Sequence, residues 1–295
     1  MPAWRSVLEE VQAIPSIDAI RRKHLKRLQR LTKRNVIAYY SGFLTNRSPG
    51  VYISDSDMEG FMNAVHGLDP KLGLDLILHT PGGTVSATGA IVRYLRSFFG
   101  TDIRCFVPQI AMSAGTMTAC ACREIWMGKQ SSIGPIDPQF DTISCGDIVE
   151  EFKKACLEIP GHPELIPIWQ IRLAKYPPAF VEKCQQAQAF SVELVTKWLR
   201  TGMFLNDPAA IAKSDKVVKA LSNHQITKQH DRHICADDAR KIGLVVNDLE
   251  SDDDLQDALL TVHHAYMLTF SGNPVVAKII ENHEGHALVS NNAGK

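Results

Sequence analysis

The feature that most constrains this chain is a join, made three times over, between a short apolar run and a turn of small residues. Leu74-Asp-Leu-Ile-Leu-His79 runs into Thr80-Pro-Gly-Gly83, and Ile103-Arg-Cys-Phe-Val107 runs towards Ala111-Met-Ser-Ala-Gly115. Glu124-Ile-Trp-Met127 then leads to Ser131-Ser-Ile-Gly-Pro-Ile-Asp137-Pro-Gln139. After the first turn, Val85, Ile91, Val92, Leu95 and Phe98 or Phe99 recur at three- and four-residue steps, the period of an amphipathic helix. A helix of small residues, Thr116 to Cys122, follows the second turn. Strand, turn and helix repeated in this order predict right-handed βαβ units on a largely parallel sheet.

The flanking regions fill in the plan. Residues 1–33 read as helix, polar and basic after Ser16, a candidate N-cap, and Arg34 to Tyr40 reads as a first strand. Ser54 to Val65 reads as a capped helix with Met58, Phe61, Met62 and Val65 on one face. From about 150 to 220 the chain is expected to be helical, punctuated by Pro160, Pro163, Pro167, Pro177 and Pro178. Asp237 to Val245 reads as a helix and then a final strand, and the acidic stretch from Glu250 to Asp254 as a solvated loop. The expected organisation is a helical segment at 1–33, one domain at 34–286 and a tail at 287–295.

Composition narrows the functional classes. With 295 residues, 45% apolar and 22% charged, the chain is an ordinary globular protein able to bury a deep core. Its 32 basic and 32 acidic residues cancel, which argues against a nucleic-acid binder, since phosphate neutralisation needs a concentrated basic face. The basic run Arg21 to Arg27 reads as a solvated helix face. Seven scattered cysteines form no disulfide framework, so a cytoplasmic location is expected. Cys120-Ala-Cys122 and His283-Glu-Gly-His286 each miss the spacing of a zinc motif, so no metal is expected. No signal peptide and no membrane span are expected; the longest uncharged stretch, Cys105 to Cys122, reads as a buried helix.

The three turns carry the chemistry. Two glycines after a strand let backbone N–H groups approach a ligand with no side chain in the way, although a plain tight turn has the same look. Ser113 stands between small residues at a strand-to-helix turn, where the next N–H, that of Ala114, can face a developing oxyanion. Position 111 is alanine, so this is not G-x-S-x-G, and Ser113 taken alone reads sooner as an N-cap. Asp137 in a proline-flanked turn has the look of a turn former.

Taken together, the three turns in this order and spacing resemble the Clp protease subunit and signal-peptide peptidase A. The resemblance is closest to the serine dehydrogenase proteinase family, whose name records a substrate and not a dehydrogenase activity. It spans residues 34 to 286 and is strongest over 74–139. Lys175-Tyr-Pro-Pro178, His230-Asp-Arg-His-Ile234 leading into Ala236 to Leu244, and Lys278-Ile-Ile-Glu-Asn-His283 add to it. The resemblance implies an α/β, ClpP/crotonase-like βαβ spiral with a largely parallel sheet and additional helices. It implies a serine endopeptidase of the hydrolase class that needs no cofactor, with unfolded polypeptide or peptides as substrate. Ser113 would be the nucleophile, Gly83 and Ala114 would supply the oxyanion-hole N–H groups, and Gly82 would shape the approach. A homo-oligomer, trimer or larger, is implied as well. The amphipathic helices and the segments Val262–Met267 and Lys278–His283 offer apolar surface for it. The chain lacks G-x-x-x-x-G-K-[ST], so energy-driven unfolding would need a separate partner.

Two bases compete. In Clp subunits the histidine lies in the turn after the fourth strand, where this chain has Asp137. His230 and Asp231 stand near the place of the Clp aspartate. Such an exchange gives the chain order Ser113, Asp137, His230, which matches the triad of the serine dehydrogenase proteinase family. Signal-peptide peptidases instead use a Ser–Lys dyad, to which Lys175 corresponds. Two other activities remain open: a crotonase-type acyl-CoA enzyme, against which a serine at the helix start counts, and a catalytically inactive scaffold.

Overall fold

A computed structural model describes residues 4–13, 16–140, 143–222 and 231–291. Helices α1 (Trp4–Ala13) and α2 (Ile17–Thr32) lead into strand β1 (Asn35–Ser41), followed by α3 (Asp57–Val65) and β2 (Leu74–His79). The expected units then follow: α4 (Val85–Phe99), β3 (Ile103–Val107), β4 (Ile110–Ala111), α5 (Ala114–Cys120), β5 (Glu124–Met127) and β6 (Ser132–Ile133). Two short strands, β7 (Gln139–Phe140) and β8 (Ile143–Ser144), precede a helical region of α6 (Cys145–Glu158), α7 (Ile166–Leu173), α8 (Phe180–Thr201) and α9 (Ala210–Ser222). The chain continues through α10 (Ala236–Ile242), β9 (Val246–Asp248), α11 (Asp253–Gly272), β10 (Val276–Asn282) and β11 (Ala287–Asn291).

The seven-stranded sheet has the order β11-β10-β1-β2-β3-β5-β9. Strands β1, β2, β3, β5 and β9 are mutually parallel, while β10 runs antiparallel to β1 and β11 antiparallel to β10. The α/β, largely parallel class is therefore the fold of this chain. Both faces are covered, which is why β1 and β2 read as nearly continuous apolar runs. Ile37, Tyr39, Leu76, Leu78, Cys105 and Val107 join the core under α3, α4 and α5, with Phe61, Ile91, Leu95 and Met117. Val36, Ala38, Tyr40, Ile77 and Phe106 pack on the other face against Leu25 and Leu28 of α2 and Leu259 and Tyr266 of α11. Among the described residues, no helix is long and apolar enough to cross a membrane.

Several expectations need correction. The strand at 246–248 is not the last, because α11 and two further strands follow, and Ala287–Asn291, placed in a tail, is an outer strand of the sheet. The basic run is not wholly a solvated face: Arg21 is buried and donates to Glu281 and Thr269, and Leu25 lies in the core. Met62 is exposed, so that helix turns a narrower apolar stripe inward than its sequence suggests, whereas on α4 Phe99, the second of the two phenylalanines, joins the core. The segments Val262–Met267 and Lys278–His283 lie largely within the protomer, and the surface they offer to assembly is correspondingly small.

Behind the sheet, at the end of β2, sits a buried aromatic cluster. The His79 ring lies 5.5 Å from Tyr40, 5.4 Å from His263 and 5.0 Å from Phe43. Neither ring nitrogen of His79 has a hydrogen-bond partner among the described residues. Burial, followed by the His263 charge, holds its pKa well below the ordinary value, and burial followed by His264 lowers His263 to about 3. Both rings are therefore neutral in the fold, whereas the unfolded chain takes up protons below about pH 6.5. Stability is full above that pH and falls as the pH drops towards the folded pKa values. For His263 alone the loss between pH 7 and pH 5 is about 2 kcal/mol. Urea unfolding at the two pH values should show it, and His263→Phe should shrink the difference. An unchanged pH slope in that variant would contradict this account.

Candidate active site

The site is assembled at the carboxyl ends of the parallel strands, where open α/β sheets bind their ligands. A second set of short pairings ties the turns together there. Thr80 bridges Ala111, with Thr80 N donating to Ile110 O at 3.0 Å and Met112 N to Thr80 O at 3.0 Å. Strand β4 pairs with β6, and Ile133 of β6 bridges Ile234. On the other flank Gly83 bridges Ile53, through Ile53 N to Gly82 O at 2.8 Å and Thr84 N to Ile53 O at 3.0 Å. The three turns singled out in the sequence are thus stitched edge to edge.

Both glycines of the first turn are required by close approach. A Cβ on Gly83 would lie 2.2 Å from Ile53 O and 2.3 Å from Ile53 N, and backbone cannot step aside. Gly82 has φ +103°, and a Cβ there would lie 2.8 Å from both Met112 O and Ser113 Cβ. The Gly82 N–H is taken by Thr80 Oγ1 at 3.1 Å. The Gly83 N–H has no partner among the described residues.

Ser113 sits at φ 50°, ψ −115°, a left-handed region that a non-glycine residue enters at a cost of about 1–3 kcal/mol. Gly115 N closes the turn on Met112 O at 2.7 Å. Although Ser113 occupies the N-cap position of α5, its hydroxyl makes no capping bond, so the N-cap reading fails. That hydroxyl has no hydrogen-bond partner among the described residues, and neither does the Ala114 N–H beside it. The strained backbone therefore holds a half-buried hydroxyl next to two unclaimed N–H groups. Ser113 opens on a cavity of about 370 Å³ lined by Phe43, Tyr52, Pro81, Gly83, Met112, Gln139 and Asp231.

The other candidates fall in different places. Asp137 is buried within the third turn, where its Oδ2 accepts from Ser144 Oγ at 3.0 Å; it is not among the residues lining the cavity, whereas Gln139 is. His230 lies outside the described residues. Its neighbour Asp231 reaches the cavity, and His233 Nδ1 meets Ser132 Oγ at 2.6 Å, so the described residues 231–233 run beside the site. Lys175 is exposed at the end of α7 and is not among the residues lining the cavity. It lies close to Glu151, which is held below its ordinary pKa first by the Tyr176 hydroxyl and then by Arg172 and Lys175. Phe43 and Tyr52 were missed in the sequence. They follow the end of β1, and the rule that ligands bind beyond the carboxyl ends of parallel strands is the signal that selects them.

A parallel sheet whose strand ends bring a Gly-Gly turn and a strained serine to one cavity defines an α/β protein of the ClpP-like class. Residues 12–162, just over half of the chain, match the model of the ClpP-like SDH-type serine proteinases, and the chain belongs to that family. An uncharacterised protein of Methanocaldococcus jannaschii is 29% identical over 196 residues, covering 66% of this chain and 61% of that one. A second from the same organism is 25% identical over 196 residues, covering 66% and 59%. The chain thus spans about three fifths of the length of these curated relatives.

Proposed function

We propose that this chain is a serine endopeptidase that cleaves unfolded proteins or peptides through an acyl-enzyme on Ser113. The observation that carries the reading is the Ser113 backbone, strained at positive φ to hold a hydroxyl that caps nothing beside the free N–H groups of Gly83 and Ala114. In this reading Ser113 Oγ attacks the scissile carbonyl carbon while a base takes its proton, and both N–H groups bind the resulting oxyanion. The same base returns the proton to the leaving amine, and water then releases the acyl group. Asp137 and His230 are assigned as orienting carboxylate and base, with Gly82 shaping the approach. Family membership and the order of the three turns support the assignment. An activated serine should react within minutes with a fluorophosphonate at one site, and Ser113→Ala should not react. Labelling of the wild type elsewhere, or not at all, would sink the proposal.

The proposed enzyme works in the cytoplasm as a homo-oligomer of three or more protomers. Its peptidase unit is built on the sheet from residue 34 onward. Leu157, Ile168 and Ile171 on α6 and α7 stay 81%, 55% and 70% exposed, apolar surface that a second copy can cover. Light scattering at micromolar concentration should give at least three times the 32.7 kDa protomer mass. A single-protomer mass would contradict the assembly.

A further inference from the structure

We propose that Asp57, Lys278 and Tyr39 are positioning residues that lock the orientation of the Gly82–Gly83 peptide. The inference rests on the reading of Ser113 as nucleophile and of the Gly83 N–H as an oxyanion donor. Asp57, Lys278, Tyr39 and Thr80 are 1%, 2%, 1% and 0% exposed, so an ion pair and two hydroxyls lie wholly inside the protein. A buried ion pair is a poor source of stability, because desolvation cancels most of its attraction, and its value lies in the geometry it enforces. Here the contacts run to one place.

Lys278 Nζ binds Asp57 Oδ1 and donates to Tyr52 O at 2.9 Å, with Ser54 Oγ at 3.4 Å. Asp57 Oδ2 accepts from Ser54 N at 3.1 Å and from Tyr39 OH at 2.9 Å. The pair therefore grips both neighbours of Ile53, the residue whose N–H binds Gly82 O. A second branch starts at Thr80, whose hydroxyl bears on the Tyr39 phenol and whose Oγ1 accepts from Gly82 N–H at 3.1 Å.

The two branches meet on Gly82, fixing its carbonyl from the Ile53 side and its N–H from the Thr80 side. In a trans peptide the N–H of the next residue points opposite to that carbonyl. The Gly82 carbonyl is turned to Ile53, so the Gly83 N–H is turned away from Ile53 and left unclaimed at the wall of the cavity that holds Ser113. Two consecutive glycines make rotation of this peptide sterically cheap. A flipped peptide would present a carbonyl where the oxyanion forms, so hydrogen bonds must supply the rigidity that side chains cannot.

The test uses Tyr39→Phe, Asp57→Asn and Lys278→Met, with Tyr40→Phe as the control. Tyr40 is an equally buried tyrosine on the opposite face of β1, bonded to His263 instead. Casein-derived peptide hydrolysis should lose about 10- to 100-fold in kcat in the three relay variants. KM should stay within about twofold and the pH onset should not move, because neither ground-state binding nor the base is touched. A peptide aldehyde, which forms a tetrahedral adduct with the serine, should weaken in parallel with kcat. If Lys278→Met fails to fold, Tyr39→Phe, which deletes one oxygen, carries the test. Wild-type kcat in Tyr39→Phe and Asp57→Asn would overturn the proposal, as would an equal loss in Tyr40→Phe. Absence of Ser113-dependent hydrolysis in the wild type would instead remove the catalytic reading on which it rests.

Discussion

Ser113→Ala is expected to lower casein hydrolysis by roughly 10⁴-fold or more, the usual consequence of deleting the nucleophile of a triad. Stability should change by no more than about 0.5 kcal/mol. The hydroxyl makes no hydrogen bond among the described residues, and alanine at φ 50° bears the same backbone strain as serine. Ser113→Gly sharpens the experiment. Glycine occupies positive φ without penalty, so this variant should be inactive yet more stable by about 1 kcal/mol. A site where function is exchanged for stability behaves in this way, whereas a structural cap would lose stability on either change. Residual proteolysis at the wild-type rate would disprove the nucleophile assignment.

The second large effect concerns the base. His230→Ala is expected to cost about 10²- to 10⁴-fold in kcat, while Lys175→Met should change it less than about threefold. Activity should rise with pH through a histidine titration, whose unperturbed midpoint is about 6.5. The motive for preferring His230 is the surroundings of its rival. A lysine becomes a base when a dry pocket disfavours its charge, and Lys175 is exposed next to the Glu151 carboxylate. Asp231, one residue from His230, lines the Ser113 cavity. The opposite result, near-total loss in Lys175→Met with His230→Ala active, would assign the base to Lys175.

The parallel sheet was legible because periodicity reports it directly. Leu74 to His79, Ile103 to Val107 and Glu124 to Met127 are apolar runs closed by turns, and each is a strand. Their order placed Gly83, Ser113 and the third turn at one end of the sheet, since right-handed βαβ crossovers bring successive strand ends to the same edge. The strand Val276–Asn282 was not legible as core. Its Lys278, Glu281 and Asn282 are polar, and they are buried only because Asp57, Arg21 and the Ala64 carbonyl come from distant parts of the chain to meet them. No local pattern announces a charge whose partner lies more than 200 residues away.

The sequence by itself therefore determined which turns exist, in what order, and that a serine follows the second of them. Tertiary structure decided what that serine is. The bridge from Thr80 to Ala111, the Gly115 N–H bond to Met112 O and the close approach of Gly82 to Met112 and Ser113 surround the second turn, whose serine stands at positive φ with a hydroxyl that lines the cavity and caps no helix. The physical reason is range. Hydrophobic period and turn chemistry act over a few residues and are written locally, whereas backbone strain and buried charge persist only when remote segments over-determine them.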